Sequence, residues 1–156
     1  MRNPLDIASQ LELDGKAYYL RQAARTTDDK IKQVFEALAQ DEERHYRVVQ
    51  DMKKGQPSQS DDTNAVDVVK RVFAEKPQKT DELMAEITVL DAYEEAINLE
   101  QQSVDLYEGL AEEAVGPEQK ALFARLVDEE KSHKTILWKL MELIQRPEEW
   151  YPYLNL

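Results

Sequence analysis

Two four-residue runs carry the side chains best suited to chemistry, Glu42-Glu43-Arg44-His45 and Glu130-Lys131-Ser132-His133. Residues three apart on a helix face the same way, so each run can present a carboxylate and an imidazole to one metal ion. An isolated Glu-x-x-His is a weak signal, because glutamate-rich helices produce it readily and a lone histidine on an apolar stripe is ordinarily a satisfied core residue. Here both histidines of the chain have it, and the pattern around them is duplicated. Phe35-x-x-Leu38-x-x-x-Glu42-x-x-His45 returns 88 residues later as Phe123-x-x-Leu126-x-x-x-Glu130-x-x-His133. The same offset relates Glu12 and Tyr19 to Glu100 and Tyr107. A duplicated helical hairpin is the simple account.

These groups share a face with the apolar residues of their helices. Glu42 lies seven after Phe35 and His45 seven after Leu38, while Glu130 lies four after Leu126 and His133 four before Leu137. Glu12, four after Ala8, and Glu100, four after Ala96, do the same. They also share a level. Antiparallel helices joined by a tight turn meet at residues equidistant from it. The midpoint of Glu12 and Glu42 is position 27, inside the Thr26–Asp29 turn; that of Glu100 and Glu130 is position 115, beside Gly116-Pro117. Fifteen residues of helix place each pair about 22 Å from its turn.

Four carboxylates buried in one layer repel one another and lose their hydration, so something must neutralise them. Two divalent ions would. One Glu from each of two helices and a Glu-x-x-His from each of the other two is the recipe for a dinuclear carboxylate site. Oxygen-rich, imidazole-poor coordination favours iron or manganese over copper, and the absence of cysteine removes thiolate zinc and iron-sulfur chemistry. Glu43 and Glu129 adjoin the motif at spacings of two and four from histidine, which assigns them to the flanks. Tyr19 and Tyr107 lie two turns from Glu12 and Glu100. They read either as core packing with a bonded hydroxyl, or as partners of a ligand carboxylate with a radical-quenching role.

The elements that position these residues are helical. Gly is scarce at 4 of 156 residues, and Ala, Leu, Glu, Gln and Lys dominate. The spacing predicts long helices over about Asp6–Arg25, from the Thr27-Asp28 cap to Lys53-Lys54-Gly55, over Asp81–Ala114, and over Glu118–Gln145. A polar stretch from Gln56 and a short amphipathic helix over Ala65–Glu75 form a long crossover between the second and third. The fold class is all-α, and residues 1–156 read as one domain whose aromatic C-terminal tail, 146–156, carries Trp150 to Leu154. That tail covers the end of its own bundle or a second subunit.

Composition excludes several partners. Lys and Arg total 20 against 32 Asp and Glu, a net charge of -12 that repels nucleic acid and anionic membranes. No run of about 18 apolar residues and no signal-type apolar segment exists, which points to the cytoplasm.

Taken together, Glu12, Glu42-x-x-His45, Glu100 and Glu130-x-x-His133 resemble the rubrerythrin-like branch of the ferritin-like superfamily over roughly residues 5 to 145. The resemblance implies a four-helix bundle with a long crossover, usually a homodimer, holding two iron ions and reducing peroxide or dioxygen while Fe(II) is oxidised. It implies that Glu42 and Glu130 bridge the metals, Glu12 and Glu100 are terminal carboxylates, and His45 and His133 terminal imidazoles. Two features depart from the family. Rubrerythrins proper carry a four-cysteine rubredoxin domain, whereas this chain has no cysteine, which implies a separate electron-donor protein. The family also has a further Glu three residues after the third-helix ligand, where this chain has Ser103. Beside peroxide or dioxygen reduction stand two rivals: ferroxidation coupled to iron handling, and a non-catalytic metal-dependent scaffold or sensor.

Overall fold

A computed structural model describes residues 3–58, 64–74 and 90–146, and among these there are five helices and no strand. Helix α1 is Pro4–Arg25, α2 Asp29–Lys53, α3 Ala65–Val72, α4 Leu90–Glu113 and α5 Pro117–Gln145. The all-α ferritin-like architecture expected from the sequence is the one found. The aromatic tail and the expected start of the third long helix, 81–89, lie outside the described residues.

Local chemistry sets the helix ends. Helix α1 begins two residues earlier than its apolar spacing suggests, because Asn3 caps it through Leu5 N at 2.9 Å and Pro4 suits the first helical position. Asp28 caps α2 by accepting from Ile31 N at 2.9 Å. At the other end of α2, Gly55 takes a positive φ of 67°, and Gln56 N returns to the Asp51 carbonyl at 2.9 Å. Only glycine adopts that conformation freely, so the helix stops there.

Helix α1 packs along α2 and α4 along α5, the two hairpins meeting through α1 with α4 and α2 with α5, while α3 lies against α2 and α5. Their apolar stripes form two separate clusters. One contains Tyr19, Phe35, Leu38, Tyr93, Ile136 and Leu140, and is extended by Val68, Val69 and Val72 of α3. The other contains Ala8, Val49, Val104, Tyr107, Phe123 and Leu126. Along each long helix the residues between the clusters are the ionisable ones: Glu12 on α1, Glu42 and His45 on α2, Glu100 on α4, Glu130 and His133 on α5. Hydrophobic burial on both sides holds this polar layer in place. No described helix is long and apolar enough to cross a membrane.

Candidate metal centre

All six inward-pointing residues converge. Glu12, His45, Glu130 and His133 have no exposed surface, and Glu42 and Glu100 are only 2% and 3% exposed. Their ligand atoms form two groups, Glu12-Glu42-His45-Glu130 and Glu42-Glu100-Glu130-His133, each with its atoms within 4.8 Å of one another. Glu42 and Glu130 belong to both groups. The other residues divide evenly, one carboxylate and one imidazole to each.

The imidazoles have a definite sense. Nδ1 of His45 lies 2.7 Å from Glu130 Oε1 and 3.5 Å from Glu12 Oε2. Nδ1 of His133 lies 2.9 Å from Glu42 Oε1 and 3.3 Å from Glu100 Oε1. Both Nδ1 atoms therefore face the cluster, and the rings stack with centroids 5.8 Å apart.

A fit for cations can be tested on the carboxylates themselves. Glu12 Oε2, Glu42 Oε1, Glu100 Oε2 and Glu130 Oε2 are buried and make no hydrogen bond among the described residues. Glu42 Oε1 approaches His133 Nδ1 closely without the alignment of a hydrogen bond. An unsatisfied buried oxygen is costly, and one on each of four converging carboxylates is the arrangement that cations relieve. The donor set, carboxylate oxygen with one imidazole per group, suits a first-row divalent ion such as iron or manganese.

A family model for rubrerythrin matches residues 3–141. The chain belongs to the rubrerythrin family. No curated protein and no solved structure matches it. Rubrerythrins are ferritin-like di-iron proteins, and the buried acidic and imidazole cluster of this member suits such a site.

Around the six lies a layer of supporting contacts that repeats between the hairpins. Tyr107 on α4 donates to Glu12 Oε1 at 2.7 Å, and Tyr19 on α1 donates to Glu100 Oε1. Each tyrosine thus serves the carboxylate of the other hairpin. Burial raises both hydroxyls well above the ordinary phenol range, reinforced by Glu100 beside Tyr19 and Glu12 beside Tyr107, so they stay protonated donors. Tyr18 and Tyr93 are buried as well.

The assignment of Glu129 to the flank is wrong. It is 6% exposed, and its Oε2 lies 2.6 Å from His45 Nε2. Glu43 does lie on the flank, half-buried and paired with Lys16 at 3.0 Å. Asp41, which spacing to histidine overlooks, is fully buried with Oδ2 3.0 Å from His133 Nε2. The clue was in the duplication, since Asp41 and Glu129 are themselves 88 apart and each sits four residues before a histidine. A carboxylate on the outer nitrogen fixes the tautomer whose Nδ1 lone pair points inward.

Gly15 makes room for Glu42. A Cβ there would stand 2.8 Å from Glu42 Oε2, closer than two such atoms approach. Beside it, between α1 and α4, is a cavity of about 10 Å³ bordered by Gly15, Glu42, Glu100 and Ser103, space for about one water-sized molecule. Larger clefts, of about 650 and 580 Å³, lie by Met52 and Arg125 and by Leu20 and Arg47, and their linings include none of the six residues.

Proposed function

We propose that the protein is a di-iron oxidoreductase that reduces hydrogen peroxide or dioxygen as Fe(II) is oxidised. The observation that carries this reading is the pair of four-residue groups sharing Glu42 and Glu130, with an unsatisfied oxygen on each of the four carboxylates. Glu12 and His45 would hold one ion, Glu100 and His133 the other, with Glu42 and Glu130 spanning both. Two ferrous ions held there supply one electron each, the two that cleavage of a peroxide bond consumes.

The chain's own residues supply geometry and shielding. Tyr107 and Tyr19 hold one oxygen of Glu12 and of Glu100, which leaves the other free to face the centre. Glu129 and Asp41 hold the imidazoles with Nδ1 inward. The apolar clusters above and below exclude bulk water, and the small cavity at Gly15 and Ser103 suits a small oxidant rather than a bulky substrate. With no cysteine for an iron-sulfur centre of its own, the chain draws its electrons from a separate donor.

The test is anaerobic loading with Fe(II) followed by stoichiometric peroxide. Two Fe(II) per chain, one peroxide consumed per pair, and growth of near-ultraviolet absorption from the oxidised metals are expected. No spectral change, or Fe(II) oxidation no faster than in buffer, would refute the proposal. Uptake far beyond two irons per chain would favour iron handling instead, and tight metal binding with no oxidant consumed would favour a scaffold or sensor.

A further inference from the structure

The outer carboxylates of the centre repeat with the hairpins, but the residue that joins them does not. Asp41 and Glu129 are equivalent, and so are the imidazoles they hold. Arg44 has no equivalent: 88 residues on stands Ser132, whose hydroxyl turns back to the Asp128 carbonyl of its own helix at 3.1 Å. Arg44 Nη2 donates to Asp41 Oδ1 at 3.2 Å and lies 3.5 Å from Glu129 Oε1. One guanidinium therefore touches both outer carboxylates. A continuous chain of contacts runs from His133 through Asp41, Arg44 and Glu129 to His45, outside the cluster of ligand atoms.

We propose that Arg44 is a positioning residue that couples the two halves of the metal centre, acting mainly on the His45 half. The inference rests on the dinuclear reading above. Asp41 does not depend on Arg44 for its orientation, because it also accepts from Asn64 N at 2.7 Å and from Ala65 N at 3.0 Å, at the start of α3. Among the described residues Glu129 has no such anchor in the backbone; its polar contacts there are His45 and Arg44. Two carboxylates drawn to one side of a buried site repel each other, and the guanidinium whose Nη2 stands within 3.5 Å of both offsets that repulsion. Without it Glu129 is released, the His45 ring loses its outer partner, and the inward aim of its Nδ1 is no longer fixed. His133 keeps its partner through the anchored Asp41.

The experiment compares the unaltered protein with Arg44→Gln and Arg44→Lys by titrating each metal-free chain with Co(II), read by calorimetry and by the visible bands that report cobalt coordination. The unaltered chain is expected to bind two Co(II). In Arg44→Gln one ion should bind as before and the other about 10–100-fold more weakly, the usual cost of losing an outer-layer partner. Arg44→Lys should restore only part of that loss, since it returns the charge on a head of different shape and hydration. Equal weakening of both ions together with a lower melting temperature of the metal-free chain would mark Arg44 as merely structural and overturn the proposal. So would a glutamine variant that binds both ions normally. If the unaltered chain bound no cobalt pair, the dinuclear reading itself would fall, and Arg44's role with it.

Discussion

Without metal, protons must hold the polar layer together. Burial raises Glu42 and Glu130 well above the ordinary carboxyl range, with Glu100 and Glu12 adding to Glu42, and Glu100 and Glu42 to Glu130. For His45, burial by itself lowers the pKa, but Glu12 and Glu130 overcome this and raise it well above the ordinary imidazole value. Burial likewise opposes, and Glu100 and the bond to Asp41 outweigh it, at His133. Glu12 and Glu100 are also pushed up by burial, yet His45 and His133 bring each below its ordinary value. The metal-free layer therefore holds protons more tightly than the same groups would in water, with His45, His133, Glu42 and Glu130 as the groups that hold them. Ligation needs neutral imidazoles and ionised carboxylates, so up to four protons leave as two divalent ions bring in four positive charges.

The joint binding constant for the pair should then rise with pH by up to about 10⁴ per unit, at about 1.4 kcal/mol per proton released. The metal-free fold should behave oppositely. Groups with raised folded values, the two His and Glu42 and Glu130, favour the fold most at low pH and lose that contribution as pH climbs through those values. Glu12 and Glu100, lowered, contribute above the ordinary carboxyl range and lose it only as pH falls through their folded values. From about pH 6 to about pH 8 the metal-free melting temperature should fall while the gap to the Mn(II)-loaded protein widens. Calorimetric Mn(II) titration in buffers of differing ionisation enthalpy counts the protons, and between two and four per metal pair are expected. Release of fewer than one, or a metal-free chain that grows more stable over that range, would refute the reasoning.

Other perturbations separate stability from binding. Gly15→Ala relieves a helical glycine, worth about 0.5–1 kcal/mol to the metal-free chain, but its Cβ displaces Glu42 Oε2; metal affinity should fall while the metal-free melting temperature does not. Tyr107→Phe removes a donor to an ionised buried carboxylate and should cost about 1.5–3 kcal/mol in urea unfolding of the metal-free chain, with weaker binding of the ion that Glu12 holds. Ser103→Leu fills the cavity at Gly15 and should slow Fe(II) oxidation in stopped flow at unchanged metal stoichiometry, at a packing cost of about 1–3 kcal/mol. Chelation should lower the melting temperature yet leave the far-ultraviolet helical signal, because both apolar clusters persist.

Periodicity in the sequence locates the four long helices and the short one, and the equidistance of Glu12 and Glu42 from their turn places the layer. The outer layer was not legible in the same way. Asp41 and Glu129 precede the motif glutamates by one residue, about 100° around the helix, at the edge of the buried stripe. Whether a residue at that edge faces solvent or a neighbouring helix depends on how α2 meets α5, which no one-helix pattern encodes. Spacing to the histidine on the same helix is also the wrong measure, because each outer carboxylate serves the histidine of the other hairpin. The crossover had the same difficulty. An amphipathic α3 is readable, but its N-terminus landing on Asp41, with Asn64 N and Ala65 N donating to that carboxylate, is a tertiary fact.

That landing bears on how a duplicated hairpin comes to hold an asymmetric centre. The two halves contribute the same ligand types, the same tyrosine bonds and a carboxylate behind each imidazole, so the ligand cage alone gives the two metal positions little reason to differ. The difference enters from outside it. Among the described residues Asp41 shares its charge with the N-terminal amides of α3 as well as Arg44 and His133, whereas Glu129 shares its charge with Arg44 and His45. A carboxylate whose charge is drawn toward several donors polarises its imidazole less, and the stronger short contact at 2.6 Å is the one from Glu129 to His45. The His45 position should therefore be the more electron-rich of the two, and the one more sensitive to loss of Arg44. Exchanging the outer carboxylates, Asp41→Glu with Glu129→Asp, tests this: the cobalt bands of the two positions should shift in opposite senses, and parallel shifts would place the asymmetry in the ligands rather than behind them.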